Sequence, residues 1–322
     1  EIKTPKQAAA LEGKLQKTPE DAETRLLLLS YYQGNEKPAI RQAFMRHAKW
    51  FIENHPETDW YSYLFDFISE GFETSEEYKE LKALWFKQTK VKSKDPKVIL
   101  NAARFFSLFE YEVAAKFFQQ AQQLEPDNYN LLSELADIYS GEAIYKEGEE
   151  KTKLLLLALE HYERALTINK KERSLMRERD RSLLLPKLAQ TALDVGKLDK
   201  AKTYAAELVL EYGREPDEDS GFNQAAHDGN IILGHVALKE GDIAKAKEQL
   251  LIAGGALKLT NTEYALPEMS LAQELLEKNE KDIVIEYLQI CAKYSKAYSA
   301  EFKKWEQMIK QGKKPKLGFG YK

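Results

Sequence analysis

The chain has 322 residues, 31% of them charged, with 16 Gly, 10 Pro and a single Cys, Cys291. Its formal net charge of -4 argues against a nucleic-acid partner, since phosphate binding needs a basic face that releases counterions, and no nucleic acid is expected. One cysteine excludes an intramolecular disulfide, so stability rests on apolar burial, and no apolar run reaches the roughly 20 residues that a membrane span needs.

Taken in chain order, 19–21 read as a helix start for 26–32. Residues 43–54 read as its partner, with Phe44, Ala48 and Phe51 at the packing places and Pro56 closing it. Residues 60–68 and 76–87 are expected as a second, aromatic-rich pair. Residues 95–126 form a third, whose second helix carries Ala114-x-x-x-Phe118-x-x-Ala121 before Pro126. Small residues at the outer places let two helices approach closely, the large one fills the gap, and Pro ends the helix. The spacing recurs at Ala158, Tyr162 and Ala165, at Ala201, Ala205 and Leu208, and at Ala246, Leu250 and Ala253. These fall in pairs expected over 131–168, 182–210 and 230–253. A further pair covers 266–294 and a last helix covers 297–310, with Trp305 and Ile309 on one face.

This recurring pattern resembles the second helix of tetratricopeptide repeats. Leu233-Gly234-x-x-Ala237-x-x-x-Gly241-Asp242 resembles the first helix and turn of that family, and Gly196-Lys197-Leu198-Asp199 the same turn one unit earlier. Met269-Ser270-Leu271-Ala272 with Trp305-x-x-x-Ile309-x-x-Gly312 is similar to uncharacterised bacterial proteins of this kind, which supplies no function. The resemblance implies an all-α, right-handed superhelical solenoid of about seven antiparallel pairs with a C-terminal capping helix. Residues 1–94 are expected as divergent repeats and 95–294 as regular ones with insertions at 140–151 and 211–222. Residues 295–312 are the cap and 313–322 an extended, basic and aromatic tail.

Chemistry is not expected. The five histidines, His47, His55, His161, His227 and His235, pair with no His or Cys at a helical metal-ligand spacing. The acidic run 215–221 lacks the alternation of a calcium loop. Neither a phosphate-binding glycine loop nor a nucleophile elbow occurs. The basic stretch 170–181 is interleaved with Glu and Asp that satisfy it. The chain therefore reads as non-enzymatic, with no catalytic residue, cofactor or metal.

First helices of such pairs line the concave surface. The register puts Ile99, Ala103, Ser133, Asp137, Gln190, Ile231, His235, Met269 and Gln273 there, apolar anchors mixed with hydrogen-bonding groups that suit a protein or peptide partner. The Lys and Asn cluster that grips a terminal carboxylate is missing, apart from nearby Lys187. The alternative is self-assembly: Leu317, Phe319 and Tyr321 alternate with other residues, as an extended peptide does when seating side chains on a neighbouring copy. The competing outcome has the tail fold back on its own last repeats. A start at Glu1 rather than Met fits a processed, secreted or otherwise extracytoplasmic chain, the cytoplasm being the alternative.

Overall fold

The computed structural model describes residues 2–35, 37–171, 175–213, 224–260, 264 and 266–319, with the side chains of 169–180 left aside. Among the described residues there are fifteen α-helices, a few 3-10 turns and no strand. The chain divides into two compact units, Glu1–Tyr145 and Lys146–Lys322. The division falls within the expected insertion 140–151. Most of that stretch is helix, because its two ends extend the helices on either side and leave only a short loop.

The first unit comprises α1 (Pro5–Leu15), α2 (Ala22–Tyr32), α3 (Pro38–Asn54), α4 (Glu76–Val91), α5 (Pro96–Phe106), α6 (Tyr111–Leu124) and α7 (Tyr129–Ala143). Helix α1 has no counterpart in the sequence-based expectation, although its start signal is complete. Thr4 accepts from the Gln7 amide while the Gln7 side chain accepts from the Thr4 amide, a reciprocal capping box followed by Pro5 at the first helical position. Asp21, Ser75, Asp95 and Asn128 cap α2, α4, α5 and α7, each side chain accepting from an amide of the first turn.

The helix expected over 60–68 does not form. Residues 60–74 make only two 3-10 turns, Tyr61–Leu64 and Phe72–Thr74, separated by Gly71 at φ +79°. Their aromatic side chains are captured by neighbours before a helix can continue. Phe67 stacks on Phe44 at 4.1 Å between centroids, beneath the Arg41 guanidinium, which also donates to the Phe67 carbonyl. Phe72 meets Tyr78 edge-on.

The preceding residues fold over α5. Asn101 donates its side-chain amide to the Pro56 and Thr58 carbonyls, and Arg104 lies over Tyr61. Two expected groove residues are corrected on this ground: Ile99 and Ala103 are fully buried, on a helix packed between α4 and α6 and covered on its flank. Neither can meet a partner.

The second unit comprises α8 (Gly148–Lys171), α9 (Leu175–Asp194), α10 (Leu198–Tyr212), α11 (Ala225–Lys239), α12 (Ile243–Ala256), α13 (Ser270–Glu277), α14 (Lys281–Tyr294) and α15 (Ser299–Lys310). Helices α9/α10, α11/α12 and α13/α14 are successive antiparallel pairs. Each packs on the next, first helix on first helix at α9–α11 and α11–α13, second on second at α12–α14. Helix α15 packs on α14 and caps the stack.

The turns within these three pairs are copies of one another. Gly196, Gly241 and Asn279 take φ of +71°, +86° and +68°. In each, the next residue's amide reaches a carbonyl five residues back: Lys197 to Ala192, Asp242 to Ala237, Glu280 to Leu275. This is the Schellman closure, which satisfies the helix's last carbonyls and requires a left-handed residue.

The recurring triplets occupy one structural place. Ala114, Phe118 and Ala121 in α6, with the triplets of α8, α10 and α12, are all no more than 2% exposed. Glycines extend the close approach: a Cβ on Gly229 would come within 2.8 Å of Val209 and 3.1 Å of the Ala205 carbonyl, which holds α11 against α10.

Two measurements check this register. Ala246→Trp overpacks a fully closed contact and is expected to cost at least about 1–3 kcal/mol in chemical denaturation, whereas the exposed Glu248→Gln stays within about half of one. Gly241→Ala meets no atom within 4 Å, so its loss, about 1 kcal/mol, is conformational alone; Asn279→Gly at the matching turn should raise the melting temperature.

Candidate polypeptide groove of the second unit

In the second unit the first helices α9, α11 and α13 stand side by side and bound a groove with a cavity of about 860 Å³. Five of the expected residues line it: Gln190 from α9, Ile231 and His235 from α11, Met269 and Gln273 at the start of α13. Ile231 and Met269 form its floor, each 3% exposed, while Gln190 is open to solvent. Pro186 inside α9 also lines it; its ring nitrogen has no amide hydrogen to donate to the helical ladder. The expected residues of the first unit, Ser133 and Asp137, are half-buried on α7 and take no part in this groove.

What fixes the groove is the extended segment 266–269 between α12 and α13. The His227 Nδ1–H donates to the Ala253 carbonyl at 2.9 Å, and its Nε2 accepts from the Glu268 amide at 3.0 Å. Those two bonds define the neutral tautomer, and burial holds His227 below the ordinary imidazole range. Tyr287 donates its hydroxyl to the Glu268 carbonyl at 2.8 Å, and Gln224 donates to the Leu266 carbonyl. Glu268 is thus held at both its amide and its carbonyl, from α11 and α14. Beneath this clamp lies the buried Cys291 thiol, which burial pushes up to about 12.

The rim is acidic. Asp228, Glu268, Glu274 and Glu277 line the cavity, and no Lys or Arg among the described residues does. Asp228 was absent from the sequence-based set because α11 starts at Ala225, five residues before the expected 230. Asp228 precedes Ile231 by three positions and His235 by seven, so the same helical stripe already pointed to it. Burial, with the Glu268 charge added, pushes the Asp228 carboxyl up to about 7, against a counteracting hydrogen bond from Gln224.

Ser270, His235 and Glu274 form a chain that invites comparison with a catalytic relay. His235 Nδ1–H donates to Glu274 at 3.1 Å and Nε2 lies 2.7 Å from the Ser270 Oγ. The Glu268 carboxylate also accepts from the Ser270 hydroxyl, so it competes with the imidazole for the proton that a triad nucleophile gives to its histidine. Among the described residues no group of His, Cys, Asp and Glu could hold a metal ion.

The tail closes one side of the groove. Lys314 donates to the Glu277 carbonyl at the end of α13, and the Leu317 amide donates to the Gln273 Oε1 at 2.7 Å. Leu317 is buried in the core cluster of the unit, and Phe319 packs against Tyr298, Phe302 and Trp305 of the same chain. Two side chains expected to reach a neighbouring copy are therefore seated at home. Tyr321 lies outside the described residues, as does nearly all of the expected insertion 211–222.

The first unit holds a second cavity, of about 880 Å³, beside His47. There Arg25 donates to His47 Nδ1, so Nε2–H donates to Glu12, which also accepts from Tyr32 and Arg46. Its polar groups satisfy one another, as a structural network does.

No family model matches the chain, and no curated protein sequence matches it. Solved structures with a similar course include YrrB, described as a TPR protein with an unusual peptide-binding site, at 14% identity over 70% of this chain and 97% of that one, TM-score 0.40. Pseudomonas aeruginosa pilF is similar at 14% identity over 80% and 99%, TM-score 0.40. Human IFIT1, in a dimer with m7Gppp-AAAA, is similar at 16% identity over 94% and 67%, TM-score 0.46. The fold is tetratricopeptide-like. In this chain that statement rests on the repeated pairs, turns and triplets themselves.

Two outcomes follow for the tetratricopeptide-like unit. A carboxyl whose folded pKa lies above its unfolded value favours the fold while protonated, and that advantage is lost as pH rises through about 7. Asp228→Asn should therefore raise the melting temperature more at about pH 8 than at about pH 5. Tyr287→Phe leaves the Glu268 carbonyl without its donor and should cost about 1–3 kcal/mol, with faster amide hydrogen exchange at Glu268 and Met269 than in the parent.

Proposed function

We propose that this chain is a non-enzymatic scaffold whose second unit holds an extended polypeptide segment in the groove of α9, α11 and α13. The observation that carries the reading is the Gln273 side chain, which already accepts from the backbone amide of an extended segment, at Leu317. A side-chain amide that reads a main chain, placed beside an apolar floor, is how a groove holds an extended peptide with little regard to its sequence. Gln190, at the opposite edge, offers the same chemistry.

The charge of the lining favours a polypeptide over a nucleic acid, since the carboxylates of Glu268, Glu274 and Glu277, with no Lys or Arg lining the cavity among the described residues, repel phosphate. The competition of Glu268 for the Ser270 proton favours holding over turnover.

A panel of extended peptides, labelled and titrated by fluorescence anisotropy, tests this. Gln273→Ala is expected to weaken binding of whichever peptides bind by about 1–2 kcal/mol, about tenfold, with helicity by circular dichroism unchanged. Peptides that bind equally well to the parent and the variant would place their site elsewhere.

A further inference from the structure

The tail shows what the groove selects. Residues 314–319 alternate: Pro315 and Leu317 are buried and Phe319 half-buried, while Lys314, Lys316 and Gly318 are exposed. That period of two is the signature of an extended segment that seats every second side chain. The segment runs antiparallel to α13, from the Glu277 carbonyl at Lys314 to Gln273 at Leu317, and ends against Trp305 at Phe319. Two of its outward residues, Lys314 and Lys316, are basic, and the cavity beside it is lined by Asp228, Glu268, Glu274 and Glu277 without a Lys or Arg among the described residues. A cation on a carbonyl at a helix C-terminus, as Lys314 is, adds the attraction of the helix dipole.

We infer that the groove is specific for Lys-rich extended segments with aliphatic and aromatic anchors at alternate positions, and that the chain's own tail is a resident, displaceable copy of that ligand. This rests on the polypeptide-binding reading above and names the partner's chemistry. The incoming segment takes the lane along α13 that the tail holds, with a lysine on the carbonyl at the α13 C-terminus where Lys314 sits and its other lysines in the field of the acidic lining. Because the tail is tethered a few residues from its seat, it competes at a high effective concentration. Only a segment that matches its anchors and charges opens the groove.

The test uses a fluorescent peptide of residues 314–322 and three proteins: the full chain, a chain ending at Lys313, and the full-length double variant Leu317→Ala/Phe319→Ala. Anisotropy should report binding to the shortened chain and to the double variant at least about tenfold tighter than to the full chain. A peptide with its three lysines replaced by Glu should bind at least about tenfold more weakly, and raising salt from about 0.05 to 0.5 M should weaken the native peptide. If the shortened chain does not fold, the double variant decides.

Equal affinity of all three proteins would overturn the resident tail. Equal affinity of the Lys and Glu peptides would overturn the charge preference. If the tail peptide binds neither altered protein while an uncharged extended peptide binds and is weakened by Gln273→Ala, this inference fails and the polypeptide-binding reading stands; if no extended peptide binds, both fail. A full chain that dimerises with rising concentration, and loses the dimer on shortening, would place the tail in a second copy and overturn its residence at home.

Discussion

The contact on which the structure depends is the approach of helices at small residues. At Ala246 and Ala253, as at Ala201 and Ala205, there is no side chain beyond a methyl group to hold neighbours apart, and all four are fully buried. Where even a methyl group is too much, the chain uses glycine, as at Gly229 against the Ala205 carbonyl. A small residue contributes little apolar area itself; its effect is to let the large partners Phe118, Tyr162 and Leu250 close the space around it. Repeated in register, the contact fixes how each pair stacks on the next, and so which faces of α9, α11 and α13 are left side by side.

The groove depends on a second constraint at a different level. Segment 266–269 is not a helix, so its backbone groups need partners from elsewhere. His227 and Tyr287 supply them at Glu268, and Gln224 at Leu266. All three come from helices whose positions the stacking has already set. The acidic rim therefore stands on a fixed base, and the half-buried Asp228 beside the Glu268 charge is a cost borne at the place where a cation would relieve it.

How far the sequence reveals this varies by element. The second helices and their turns were legible, because Ala-x-x-x-large-x-x-small and the glycine turn are local patterns, and twelve of twelve such side chains in α6, α8, α10 and α12 are buried as the spacing requires. The first unit was less so: at 60–74 aromatic residues look like a helix face, but stacking of Phe67 on Phe44 draws the chain out of it. That pairing spans more than twenty residues, beyond any local window. The same long-range cover buries Ile99 and Ala103, which spacing alone puts on an open face. In the second unit five of the expected residues, Gln190 to Gln273, line one cavity. Asp228 escaped because the start of α11 carries no side-chain cap to mark it.

The single cysteine takes on a different meaning from its position. Cys291 sits under Tyr287, whose hydroxyl holds Glu268, and its thiol is kept protonated by burial. A protonated, enclosed sulfur is inert toward alkylating reagents and oxidants as long as α13 and α14 stay closed over it. The chain thus carries its own silent reporter: modification at this one atom can occur only in the fraction of molecules whose C-terminal pairs have come apart. Its rate counts those openings without any label having been added.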